Sequence, residues 1–555
     1  MKNGNIPIVR MLKIALIYII SFGFFSDGFA QNWTWAEHAG GNDDDAGTGI
    51  VVDASGDIYI TGFMRSSSIT FGGIMYSNAS YPQDDGIISK LDPAGNVLWL
   101  HGMHGTGRER GSKICMDPSE NLFATGYSWS NPVFFSGSIY CQNNGQADYF
   151  LTKYDSAGNA IWARNGGGAA NEYGNDICSD PAGNIYVAGN YSSTSLNAGG
   201  QSITNSGGDD FFLVKYDTDG NGKWVKGAGG SSQEKAYGIC SDSEANLFVC
   251  GVFDSPSLDI DNITLNGTGT LDLFIAKYDS SGQVLWAKSA GSGGLDYANA
   301  VCSDDQGNVY MTGWFQDTIE FGNTTLIAQA YCDLFIVKYN PGGDVVWAVR
   351  AGGGSITQGK SISIDRSGNI FICGQISTHP TTFGSIVVPV VGGTDVFVLK
   401  CDTSGNFIWV RGAGCVNLDE ALAVASDGNE RVYTTGYHGH GVISFDSTQF
   451  TNNGNLQDLF VAAIDGLTGV DENLPLSDFA MHPNPASELI HLDLFDNVGM
   501  FTISLISITG QELIVQKFSP GVEAILDVRD IPNGIYLIRA NLDEHALTRL
   551  ITVQH

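Results

Sequence analysis

Residues 272–291 read DLFIAKYDSSGQVLWAKSAG. An apolar run of strand length is broken by Asp279-Ser-Ser-Gly282 and followed by a second apolar run that closes on a Gly-rich step. Asp at the first position of a type I turn, with Gly at the fourth taking positive φ, predicts a tight hairpin between two short strands. The Trp of this segment, Trp286, is one of seven: Trp35, Trp99, Trp162, Trp224, Trp286, Trp347 and Trp409 follow one another at spacings of 64, 63, 62, 62, 61 and 62. Eighteen residues after each stands an Asp: Asp53, Asp117, Asp180, Asp242, Asp304, Asp365 and Asp427. A Gly then ends an apolar run in every unit, at Gly62, Gly126, Gly189, Gly251, Gly313, Gly374 and Gly436. Another Asp opens the next run, at Asp85, Asp148, Asp210, Asp272, Asp333, Asp395 and Asp458. Such self-similarity outranks any local reading.

Each unit reads as four strands; in the fifth they are expected at residues 298–304, 308–315, 333–340 and 344–350. Four antiparallel strands repeated seven times make a β-propeller. The first Trp strand, residues 33–39, has no partners before it, and the last unit, residues 419–465, lacks a Trp strand of its own. The N-terminal strand is therefore expected to complete the seventh blade, which also removes an open sheet edge. Blade-to-blade packing, as core residues, is the expected role of the repeated Trp, ahead of a sugar-stacking platform.

These segments resemble the β-propeller repeat of many secreted bacterial proteins, over essentially all of residues 31–465; the resemblance implies a fold and no single activity. The Asp-x-x-Gly-x-x-x-Trp pattern is also similar to quinoprotein dehydrogenase propellers, but those usually have eight blades and often an adjacent Cys pair, which this chain lacks.

Flanking segments complete the organisation. Residues 1–30 carry Lys2, Arg10 and Lys13 before an apolar stretch and end on Gly28-Phe29-Ala30, the pattern of an export leader cut before Gln31. No later stretch reaches twenty apolar residues, so no transmembrane segment is expected in the mature chain. Residues 466–478 read as an acidic linker. Residues 479–555 then alternate as strands and resemble the type A C-terminal sorting domain of type IX secretion, through Pro483, Asn484, Pro485, Ala486, Gly510, Gly534 and Tyr536; Gln554-His555 replaces the usual basic ending. The resemblance implies a small immunoglobulin-like β-sandwich, handled by the type IX machinery, and a product released or held at the cell surface. The fold class expected is all-β: a seven-bladed propeller followed by this sandwich.

Charge narrows the partners. With 59 Asp+Glu against 27 Lys+Arg, no basic excess exists to neutralise phosphates, which excludes nucleic acid as the main partner. The ten Cys do not read as a disulfide framework. Cys115, Cys178, Cys240 and Cys302 share a repeat position that other units fill with Val51, Ser363 and Ala425, so they are read as small buried thiols.

Ten residues after each repeated Trp stand Asp45, Glu109, Glu172, Glu234, Asp296, Thr357 and Asp419. One reading is an acidic ring at the channel mouth holding a cation such as Ca2+. The other is that each acid accepts hydrogen bonds from its own Gly-rich crossing. Asp217-Thr-Asp219-Gly-Asn221-Gly resembles part of a calcium loop but occupies a repeated turn position. No nucleophile-elbow, zincin or P-loop pattern occurs, and the pairs His101/His104 and His438/His440 lack a clear third ligand. The long stretches between second and third strands, with Tyr76, Tyr81, Trp129 and Tyr140, vary most between units. They put recognition of an extracellular protein or glycan on that face. A binding or structural surface protein is the expected function; a hydrolase or lyase using carboxylates on the same face is the alternative.

Overall fold

The computed structural model describes residues 32–465 except 378, 429–430, 453 and 455, and residues 480–554 except 483–486, 494–500, 508–511, 519–523 and 543–544. The leader, the linker, and Pro483, Asn484, Pro485, Ala486 and Gly510 lie outside these residues. The chain divides into two units, residues 1–468 and 469–555.

In the first unit the described residues form seven four-stranded antiparallel sheets. Blade four is typical, running outward through Glu234–Ser241, Leu247–Phe253, Asp272–Tyr278 and Val284–Ala290. The second and third strands are buried along their whole length, the outer strand only at every third position. That gradient explains why the middle strands read as unbroken apolar runs and the outer one does not. Blade seven takes its outer strand, Trp33–Ala39, from the far end of the chain; Ala36 pairs with Ala462 and His38 with Phe460. Its inner strand, Asp419–Ser426, lies against Asp45–Val52 of blade one, so the ring closes.

All seven inner strands carry a β-bulge at one place, between residues 47/49, 111/113, 174/176, 236/238, 298/300, 359/361 and 421/423. The repeated Gly of the second strand belongs to it. A Cβ at Gly62, Gly126, Gly189, Gly251, Gly313, Gly374 or Gly436 would stand 1.8–2.0 Å from the carbonyl oxygen of the residue two before the extra one. Only glycine lets the bulged backbone come that close.

Five of the repeated Trp latch one blade to the next. Trp35, Trp99, Trp224, Trp286 and Trp347 donate from Nε1 to a carbonyl in the outer turn of the following blade, at 3.0–3.3 Å. The glycines of those turns face the indole rings: a Cβ on Gly343 would stand 2.8 Å from Trp286. Expectation and structure differ on burial. Of the seven, only Trp409 is buried; the other six are half-buried, because no strand lies beyond the outer one. Within the blade, Lys277 pairs across strands with Trp286 while its Nζ stands 4.9 Å over the Phe248 ring, a cation–π arrangement.

The long stretches between second and third strands are not open loops. Each holds a two-stranded hairpin, such as Ser195–Ala198 with Gln201–Thr204. Gly199 and Gly200 there have φ of 56° and 79°, the pair of positive values a type I′ turn needs. Strands of three to five residues are too short for a period-2 pattern to stand out. All ten Cys are free.

The second unit has a three-stranded sheet (Ala480–His482, Leu489–Asp493, Ala524–Asp527) and a four-stranded one (Glu512–Phe518, Phe501–Ser507, Gly534–Leu542, His545–Val553). They share one core, with Ile490, Leu492 and Leu526 from the first sheet and Ile503, Leu505, Tyr536 and Ile538 from the second. This is a sandwich. Tyr536 donates its hydroxyl to Pro532 O at 2.7 Å, and Gly534 opens its strand.

The latch gives a direct stability test. Gly343→Ala puts a Cβ on a residue with φ of 85° and against Trp286, so guanidinium unfolding should show a loss of about 1–3 kcal/mol. Ser367→Ala, in a tight turn away from the indoles, should change it by less than about 0.5 kcal/mol. Equal effects of the two contradict the latch.

Candidate functional site

The six acids of the expected ring each begin an inner strand and have no exposed surface. Their oxygens are held locally. Glu172 accepts from Gly168 N and Glu234 from Gly230 N, both at 2.7 Å. Asp296 and Asp419 accept from Ser292 N and Cys415 N, both at 2.5 Å. Asp45 takes two backbone N–H groups and the Ser66 hydroxyl, and Glu109 takes the Ser128 hydroxyl at 3.1 Å. Glu172, Glu234, Asp296 and Asp419 tie down the blade-to-blade crossings, while Asp45 and Glu109 hold the chain at the end of the second strand. Among the described residues no group of three or more His, Cys, Asp or Glu is placed to hold a metal ion.

The other singled-out residues are likewise dispersed. Asp217 accepts from Asp219 N, Asn221 N and the Asn221 side chain, as the other turn aspartates do. His101 lies beside Trp99 and His104 beside Phe134. His438 is buried next to His38, while His440 Nδ1 meets Gly454 O. Tyr76 and Tyr140 sit on the short hairpins; Tyr81, Trp129 and Tyr140 are exposed.

A cavity of about 300 Å3 opens where the seven bulges converge. The extra residue of each bulge lines it: Thr48, Ser112, Asn175, Tyr237, Asn299, Lys360 and Leu422. A bulge removes one residue from strand pairing and re-aims its side chain, so a sevenfold repeat builds a ring of seven side chains of six kinds, asparagine occurring twice. Phe63, Arg110, Lys113 and Tyr127 complete the wall. Lys113, one residue past its bulge, reaches past blade one to donate to Leu422 O of blade seven at 3.0 Å, which gives the cup a floor. The Asn299 amide donates to Gly359 O at 2.7 Å, and the Asn175 amide to Ala236 O at 2.9 Å. Each Oδ1 is left in the acceptor role.

Aromatic rings crowd the rim. Tyr237 stacks on Tyr297, centroids 6.2 Å apart, and Tyr297 on Trp314 at 4.5 Å. Tyr127 meets Tyr173 edge-on at 4.8 Å. The Arg110 guanidinium lies 3.7 Å from the Phe63 ring centroid and 2.6 Å from the buried Asp84, which also holds Arg65 and Arg108 at 2.8 and 3.0 Å. Lys360 pairs with Glu420 at 2.7 Å. Sequence reasoning passed over this ring and singled out the acids three residues before it. The signal was there: the bulge column is chemically diverse within an otherwise repetitive strand.

Comparisons with known proteins agree with both units. The family described as a secretion system C-terminal sorting domain matches residues 480–554, and the family described as a beta-propeller repeat matches residues 346–378. The chain carries β-propeller repeats and a type IX sorting domain, which marks it for export to the cell surface or extracellular space. It is 23% identical over 462 residues to an uncharacterized WD repeat-containing protein of Acanthamoeba polyphaga mimivirus, covering 69% of this chain and 33% of that protein. To the regulatory protein FlaEY of Caulobacter vibrioides it is 24% identical over 193 residues, 32% of this chain and 20% of the other. The chain thus spans a third or less of the length of these relatives. Among solved structures, a puromycin hydrolase mutant is similar at a TM-score of 0.33 and 11% identity, covering 72% of this chain and 59% of that one. An apocarotenoid oxygenase mutant of Synechocystis follows at 0.24 and 10%, covering 95% of each chain. At those scores neither carries an argument about this chain.

The buried acids of the propeller make stability pH-dependent. Burial pushes Asp45, Glu109 and Asp458 up to about 7, and Asp148, Asp296 and Asp395 up to about 6. For these groups the folded chain keeps protons that the unfolded chain has lost, so their stability contribution is full below about pH 4 and is lost as pH rises through 6–7. Asp92, Asp155, Asp279 and Asp402 move the other way: burial raises them slightly, and turn hydrogen bonds outweigh it to leave them below the usual value. Their contribution is lost on acidification. Unfolding free energies and midpoints from guanidinium titration should therefore be higher near pH 5 than near pH 8. The difference in free energy should reach several kcal/mol, since each tenfold change in a group's proton affinity on folding is worth ~1.4 kcal/mol. A midpoint that is flat or rises toward pH 8 contradicts the reading.

Proposed function

We propose that the chain is an exported binding protein whose propeller recognises an extracellular protein or glycan at the seven-residue cup. The division that goes with it is a leader at residues 1–30, the propeller at 31–465, a linker at 466–478 and the sorting domain at 479–555. The carrying observation is the ring of bulge residues: a repetitive scaffold places seven side chains of six kinds at one mouth. Repetition serves the fold; variation confined to one column serves recognition. Aromatic rings and amide acceptors around a small cavity suit a ligand with both apolar and hydroxyl surface. The alternative of a hydrolase or lyase draws less support. The carboxylates nearest the cup are committed: Asp176 Oδ1 accepts from Ile177 N and Oδ2 from Ile239 N, and Glu420 is held by Lys360 and Tyr437.

Two measurements test this reading. A chain ending at residue 479 should accumulate in the periplasm, whereas the full chain reaches the medium or cell surface; unaltered export of the shortened chain contradicts the sorting role. On an array of glycans and extracellular polymers, the full chain should be retained and Asn299→Trp, which fills the cup, should not. Equal retention places recognition elsewhere on the propeller.

A further inference from the structure

The charges in the cup run against those of the chain. Acids outnumber bases 59 to 27 overall, yet the charged residues lining the cup are Arg110, Lys113 and Lys360, with no carboxylate among the lining residues. Two of the three cations have a strong partner: Arg110 meets Asp84 at 2.6 Å and Lys360 meets Glu420 at 2.7 Å. Lys113 differs. Its Nζ donates to one backbone carbonyl, Leu422 O, and an ammonium has three N–H groups to give. Asp176 acts on it through space, but both Asp176 oxygens already accept backbone N–H groups, from Ile177 at 2.9 Å and Ile239 at 2.8 Å. Burial lowers the Lys113 ammonium below its usual range, as happens to a desolvated cation with too little counter-charge.

Around that cation stand groups that take a polar ring. Tyr237 brings the stack that continues through Tyr297 to Trp314. Asn175 and Asn299 present acceptor oxygens, since their amide nitrogens are given to Ala236 O and Gly359 O. A volume of about 300 Å3 is at the small end for ligand cavities and suits one terminal group rather than a threaded chain.

From this arrangement we infer that the cup takes the terminal sugar of an anionic glycan, with the ring against Tyr237, hydroxyls on the two asparagines and the sugar carboxylate on Lys113. Lys113 supplies charge-assisted hydrogen bonds from the floor, and the aromatic wall selects a ring over a flexible acidic side chain. This rests on the cup being the recognition site and adds the class of ligand.

Calorimetry on the purified full chain with three probes tests it: trigalacturonate, its neutral counterpart trigalactose, and hexaglutamate. Trigalacturonate should bind at least ~10-fold more tightly than either other probe, and more weakly as salt is raised. Lys113→Met should weaken trigalacturonate at least ~10-fold and leave trigalactose unchanged, while Lys223→Met, on the outer strand Gly222–Ala228, alters neither. Melting curves check that Lys113→Met folds; if it does not, Tyr237→Leu must weaken trigalacturonate by a similar factor. Equal binding of trigalactose or hexaglutamate overturns the anionic-sugar inference but leaves the cup a binding site. No binding of any probe also overturns it, and the Asn299→Trp array then reports separately whether the cup recognises anything.

Discussion

A carbonyl oxygen occupies the place where a β-carbon would stand on the second strand of every blade. Glycine at Gly62, Gly126, Gly189, Gly251, Gly313, Gly374 and Gly436 is what permits it. That close approach accommodates the bulge in the neighbouring inner strand, and the bulge frees one residue per blade from strand pairing. Seven freed residues meet at the channel mouth and form the cup. A repeat of about sixty residues that looks purely structural is therefore also the device that sets the geometry of the site.

Everything around the bulge keeps it in register. Indoles on the outer strands lock five of the blades to the turn of the next. At the other edge, the buried acids at the start of the inner strands bind the backbone of the Gly-rich crossings. These acids are costly to bury ionised, which is why burial pushes their titration upward. The cup sits inside a frame whose own charges are spent on holding it. The charged residues that line the cup are three cations, in a chain that is otherwise strongly acidic.

Much of this was legible in the sequence. Trp, Asp and Gly columns gave the count of units and their strand order, because a buried repeat must solve the same packing problem each time. The N-terminal strand's place in the last blade, seen in the pairing of Ala36 with Ala462, followed from a strand missing at one end and spare at the other. The bulge was not legible. A glycine inside a strand signals a bulge, a bend or a close approach, and only coordinates distinguish them. Chemical diversity marks the column of residues 48, 112, 175, 237, 299, 360 and 422, but without the bulge nothing places it on the channel. The acids at 45, 109, 172, 234, 296 and 419 stand out instead because they repeat as strictly as the scaffold does. The short hairpins escaped for another reason: strands of three to five residues carry too few alternations to be told from loop. The half-burial of the repeated Trp was also hidden, since sequence shows that an indole recurs but not that it lies on an outermost strand with one face open.

Because a slip of one residue exchanges the two faces of a strand, the bulge can be read by chemistry. The most direct measurement is thiol labelling of Asn299→Cys and Ala298→Cys in the native chain, located by peptide mass. Asn299 is the freed residue and lines the cup, whereas Ala298 is fully buried. The account predicts rapid modification at residue 299 and protection at residue 298. Protection at 299 with modification at 298 would contradict it, and with it the assignment of the seven-residue ring.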